Sequence, residues 1–172
     1  MTVLKLTLLA LGLVSVLAGC DPIQGAGPGV PPDPARYIQV DDSSRTAIVT
    51  LIAGYPATDS QFNYNGYASG ALILTVPVGW DLTVQCQNRG TVPNSCAVVR
   101  GRGDTVPLDP AWSTPDPRRG LEPGRSASFV FRPQVPGTYR IASLVGGSEA
   151  SGMWLDLQVV PGGRPKLTAP QP

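Results

Sequence analysis

Hydrophobic and polar residues alternate with a period of two along most of this chain. Ala47, Val49 and Leu51 share one parity, and so do Leu72, Leu74 and Val76. Leu82 with Val84, Phe129 with Phe131, and Tyr139 with Ile141 repeat the pattern. The last run sets Met153, Leu155, Leu157 and Val159 on one side and Asp156 and Gln158 on the other. Successive side chains of a β-strand point to opposite faces, so each run predicts a strand with one buried face. Turn sequences separate the runs: Val76-Pro77-Val78-Gly79, Glu122-Pro123-Gly124 and Val135-Pro136-Gly137. No stretch carries a helical period. Many short strands joined by Pro/Gly turns predict an all-β chain folded as a β-sandwich.

Three segments stand outside this rhythm. At the start, Lys5 precedes an apolar run from Leu6 to Val16 and then Leu17-Ala18-Gly19-Cys20. A positive residue, a short apolar core and small residues before a cleavage point describe a secretory signal. The run falls short of the roughly 20 apolar residues that a permanent membrane helix needs. Leu17 to Cys20 resemble a bacterial lipobox, which implies acylation of Cys20 as the new N-terminus; the alternative is a plain cleavable signal with a coincidental cysteine. Asp21 resembles an inner-membrane retention signal of some bacteria. The expectation is a signal peptide over residues 1–19 and a lipid-anchored protein of the bacterial cell envelope, with its domain on the extracytoplasmic side. Residues 20–35, rich in Pro and Gly, predict a flexible tether that spans up to ~45 Å at ~3.1 Å per residue. Residues 161–172 have the same character and predict a disordered tail, leaving 36–160 as the folded domain.

The third segment is Arg100 to Arg125, with five prolines and little apolar patterning. A connection that long is usually functional or disordered, and Trp112 within it is a candidate anchor for a partner. It also contains Arg102-Gly103-Asp104, a tripeptide known as a cell-adhesion signal and short enough to recur by chance.

Charge and composition narrow the chemistry. Thirteen basic and 12 acidic residues leave a net charge of +1, with no basic block suited to nucleic acid. There is no histidine, so no imidazole base and no Ser–His pair, and no enzymatic activity is expected. Asp156 falls on an exposed strand face, and Glu149 reads as a loop residue in water. With Cys20 assigned to lipid, Cys86 and Cys96 remain, and an exported chain favours a disulfide between them. Both fall on core-facing parity, and a turn over Asn88–Asn94 would make their strands hairpin neighbours, with inward Cβ atoms near the required ~3.8 Å. Two buried free thiols are the alternative.

Four motifs carry a family resemblance. Phe62-Asn63-Tyr64-Asn65-Gly66, Thr75-Val76-Pro77-Val78-Gly79-Trp80, Val92-Pro93-Asn94-Ser95 and Ala150-Ser151-Gly152-Met153-Trp154 resemble the sulfocyanins, a cupredoxin family, in order from about Gln61 to Val160. The resemblance implies a cupredoxin-like Greek-key β-sandwich and a copper site of two His, one Cys and an axial Met. Those ligand positions match Asn94, Ser143, Ser148 and Met153, so one ligand of the four is kept. Type 1 copper takes its geometry and colour from a thiolate and two imidazoles, so no metal and no cofactor are expected. Asn94 and Ser143 are expected to satisfy each other or a trapped water. A soft Cu(I) site from Cys86, Cys96 and Met153 is the alternative if the thiols stay reduced. The functional expectation is a binding or structural module that meets an envelope protein through Gly146–Ser151; the other reading is copper handling or electron transfer through an unconventional site.

Overall fold

The structure, a computed structural model, describes residues 31–56 and 60–170. The expected signal peptide, the Cys20 lipidation site and the tether as far as residue 30 lie outside the described residues. The strands are β1 (Ile38–Asp41), β2 (Thr46–Ala53), β3 (Ile73–Pro77), β4 (Asp81–Asn88), β5 (Ala97–Val99), β6 (Ser126–Phe131), β7 (Gly137–Ala142), β8 (Trp154–Val160) and β9 (Lys166–Thr168). They form two sheets, ordered β1-β2-β4-β6 and β5-β7-β8-β3-β9. β2 lies parallel to β4 and β3 parallel to β8, while the other pairs are antiparallel. Parallel neighbours cannot be joined by a tight turn, so the chain crosses between sheets and closes a Greek-key sandwich.

The period-two runs land as the pattern requires. Val49, Leu51, Leu82 and Val84 of the first sheet meet Leu74, Val76, Leu155 and Leu157 of the second, all fully buried. Two asparagines of the Phe62–Gly66 motif finish the end of β2. The Asn65 side chain accepts from Ile52 N at 2.6 Å and donates to Thr50 O at 2.9 Å, taking the place of a neighbouring strand. Asn63 Oδ1 accepts from Tyr55 N and Gly66 N. Buried backbone groups must find partners, and here amide side chains supply them.

Both expected boundaries move outward. The presumed disordered tail contains β9, whose register with β3 pairs Leu74 with Leu167, and Leu167 is buried in the core. Pro161 to Pro165 is only a turn between two strands of one sheet. A substitution of Leu167→Ala should therefore cost about 2–4 kcal/mol in urea unfolding, where a disordered tail would lose nothing. At the other end, Pro34–Tyr37 form a turn of 3-10 helix capped by Asp33, and Tyr67 donates its hydroxyl proton to Pro32 O. The last residues of the expected tether, from Pro32 on, are thus tied to the folded domain.

The Arg100–Arg125 segment is a structured cover. Val98 N donates to Trp112 O and Leu108 N to Val98 O, so the segment satisfies the free edge of short β5. Trp112 packs edge-on against Phe131, with centroids 4.8 Å apart. Its ring is partly buried against the wall of the core.

Cys86 and Cys96 are disulfide-bonded and fully buried, with Cα atoms 6.1 Å apart. The pairing agrees with expectation, but the reason does not. Cys86 lies on β4 of the first sheet and Cys96 just before β5 of the second. The bond joins the two layers instead of two hairpin neighbours.

Candidate functional site at the strand ends

The four positions that the family resemblance matches to ligands converge at one end of the sandwich. Asn94 lies in the connection from β4 to β5, Ser143 just past β7, and Ser148 and Met153 in the loop leading to β8; all are buried. Backbone hydrogen bonds tie three of them together: Ser143 N to Met153 O at 3.1 Å and Met153 N to Ser148 O at 3.0 Å. The fourth joins through its neighbour. Ser95 N donates to Ser143 Oγ at 3.2 Å, and Ser95 Oγ accepts from Leu144 N at 2.9 Å. Ser95 is the residue that sequence reasoning passed over, although it closes the Val92-Pro93-Asn94-Ser95 motif.

Asn94 does not turn toward Ser143 as expected. Its Nδ2 donates to Asn88 Oδ1 at 3.2 Å and to Val92 O at 3.1 Å, while Asn88 Nδ2 reaches Val92 O and Leu121 O. The backbone of Asn94 exchanges two hydrogen bonds with Leu121. Asn94 Oδ1 is buried and has no hydrogen-bond partner among the described residues. The loop is braced from below by Tyr64, whose buried hydroxyl donates to Ser95 O, and burial pushes that phenol well above its ordinary pKa. Among the described residues no group of three His, Cys, Asp or Glu side chains could hold a metal ion.

Residues 34–115 match the family model described as the sulfocyanin (SoxE) domain. Sulfocyanin of Sulfolobus acidocaldarius is 26% identical over 124 residues, covering 65% of this chain and 62% of that protein. The chain thus spans less than two thirds of that relative. Reduced auracyanin from Roseiflexus castenholzii superposes with a TM-score of 0.50 at 24% identity, covering 69% of this chain and 98% of its own. A rusticyanin does so with a TM-score of 0.52 at 18% identity, covering 72% and 86%. The domain has a cupredoxin-like fold and is similar to sulfocyanin.

That likeness corrects the expectation of no cofactor, because sulfocyanin-like cupredoxins point to copper. The expectation counted absent ligands, and a count of that kind speaks only to one type of centre. The cupredoxin still brings its four positions together, and the unpartnered Asn94 Oδ1 and the buried Met153 thioether are donors of a sort. The residues present do not fit a type 1 centre, however. The chain has no imidazole, Ser143 offers a hydroxyl already engaged by Ser95, and neither oxygen is a soft donor. The alternative Cu(I) site from Cys86, Cys96 and Met153 also fails, since both sulfurs are in the disulfide.

One further expectation is corrected beside this site. Glu149 is not a loop carboxylate in water: it pairs with Arg140 Nη1 at 3.0 Å and accepts from Gly103 N at 2.9 Å. Arg140 in turn lies 3.6 Å over the Trp154 ring. Gly103, the middle of the adhesion-like tripeptide, is held by that carboxylate, and Asp104 caps Arg100 N and Gly101 N within its own loop. Backbone at Gly70 also closes on the Trp154 ring. Gly70 has φ +79°, and a Cβ there would fall 2.2 Å from the indole. Gly70→Ala should therefore lower stability by about 2–4 kcal/mol in chemical denaturation, and a change below about 0.5 kcal/mol would refute this packing.

Proposed function

We propose that this protein is a lipid-anchored envelope protein whose cupredoxin domain lacks a type 1 copper site and serves as a binding or structural module. One observation carries the reading: the four strand-end positions are assembled, yet three are occupied by neutral side chains, Asn94, Ser143 and Ser148. Uncharged, hydrogen-bonded side chains at these positions suit a docking or structural role better than electron exchange through a thiolate. The contact surface is the Gly146–Ser151 loop, and the partner is another envelope protein. No enzymatic step is assigned, for want of an imidazole base. Nucleic acid is not a partner, given a net charge of +1.

Cys20→Ser should release the protein from the membrane fraction and abolish labelling by fatty acid; unchanged labelling would refute the anchor. Crosslinking of the intact anchored protein in its envelope, repeated with Gly147→Arg in the contact loop, tests the docking role. The expected result is one crosslinked species that the variant loses. A crosslinked pattern indifferent to the variant would sink the reading.

A second reading is favoured by the orphan Asn94 Oδ1, by the buried Met153 thioether and by the family's association with copper. On that reading the domain handles copper through a site other than type 1. One equivalent of copper retained by the protein, lost in Met153→Leu, would establish it.

A further inference from the structure

We propose that a cavity of 230 Å³ beside the 146–152 loop is a binding site for a small oxyanion, a carboxylate or a phosphate. The inference goes beyond docking and does not depend on it. Ser69, Arg102, Arg140, Glu149, Gly152 and Trp154 line the cavity. Its donors outnumber its acceptors. Arg140 spends one N–H on Glu149. Arg102 makes no ion pair and no side-chain hydrogen bond among the described residues, and the Ser69 hydroxyl has no partner there either. Both oxygens of Glu149 are taken, one by Arg140 and one by Gly103 N. What the cavity lacks is an acceptor, and with two guanidiniums against one carboxylate it carries a net positive charge.

The site is built and not merely open. Arg140 Cζ lies 3.6 Å over the Trp154 ring and its Nη1 is tied to Glu149, so the guanidinium is restrained from two sides. A guanidinium held in this way presents parallel N–H groups that match the two oxygens of a carboxylate or phosphate. Little side-chain freedom is then lost on binding. On the wall opposite, Ser69 holds the left-handed φ of +55° that non-glycine residues seldom adopt, and it meets Gly152, at a φ of +102° natural to glycine, through Ser69 N to Gly152 O at 2.8 Å. A Cβ on Gly152 would fall 2.9 Å from Ser69 Oγ. Strained backbone of this kind persists where surrounding structure enforces it, and clusters at ligand sites. The volume is below the roughly 300 Å³ at which drug-sized pockets begin, so the ligand is small.

The test is a titration of the lipid-free domain, residues 21–172, with inorganic phosphate and separately with acetate at constant ionic strength. Amide resonances of Ser69, Gly103 and Gly152 should shift saturably. Arg102→Gln should weaken the affinity at least tenfold, while Arg118→Gln, outside the cavity, should leave it unchanged. Glu149→Gln should tighten binding severalfold by freeing Arg140 from a competing carboxylate, an effect that a purely structural Glu149 would not give. Vesicles containing phosphatidylglycerol form a second arm. Binding to them that Arg102→Gln abolishes would assign the oxyanion to a lipid headgroup, and response to phosphate or acetate alone would assign it to a free anion. Shifts that never saturate, or that survive Arg102→Gln, would overturn the site as an adventitious ion only.

Discussion

The combined substitution Asn94→His, Ser143→Cys and Ser148→His will give a domain that turns intensely blue with cupric ion, while the unsubstituted domain will not. The prediction follows from how little of the frame is altered. Ser143 and Ser148 are joined to Met153 by backbone hydrogen bonds, and Ser95 N already points its proton at the Ser143 side chain. A thiolate at that position would inherit this donor, and hydrogen bonds of that kind tune the sulfur of such centres. The axial thioether of Met153 is present and fully buried. The colour arises from thiolate-to-copper charge transfer, so the Ser143→Cys member is indispensable and the two histidines without it should bind copper but stay pale. The readout is the visible spectrum of the reconstituted protein, with each single variant as a control. A colourless triple variant that is folded and holds copper would show that the pole no longer has the geometry inferred for it.

The second large effect concerns the disulfide. Replacing both cysteines, as Cys86→Ala with Cys96→Ala, should lower stability by about 3 kcal/mol, from the closure entropy of a loop with sequence separation 10. For a domain of this size the melting temperature should fall by roughly 10 °C. The bond sits between layers, at the point where the chain leaves one sheet for the other. Its loss should therefore loosen the Asn94–Ser95 loop more than the sheets, and amide exchange at Ser95 and Leu121 should quicken first. Equal melting temperatures with and without the bond would contradict this.

How far the sequence foretold these features depends on the range of the interaction. Period-two alternation is a local signal, and Val49, Leu51, Leu82, Val84, Leu155 and Leu157 are buried where it placed them. Sheet membership is not local. Cys86 and Cys96 looked like hairpin partners because parity gives the face of a strand but not its neighbour. β9 was missed because three residues are too few to display a period, and Leu167 is the only apolar residue of that strand to reach the core. The cover formed by Arg100–Arg125 was illegible for a different reason: it bonds through its backbone to Val98, and backbone bonding leaves no pattern in side chains. At the site, the family resemblance singled out Asn94, Ser143, Ser148 and Met153, and the structure places all four at one end of the sandwich. The resemblance did not reveal that Asn88 would capture Asn94, or that Arg140, Glu149 and Trp154 would interlock beside it, because such contacts join residues far apart in the chain.

The order β5-β7-β8-β3-β9 has a consequence for biosynthesis. β3 is made early, yet both strands that flank it, β8 and β9, come last. During vectorial emergence from a ribosome, β3 has no ladder to join until β8 and β9 have appeared. Closure of that layer waits for both, and a chain stalled a few residues before Lys166 would present the naked edge of β3 to whatever chaperone or protease is near.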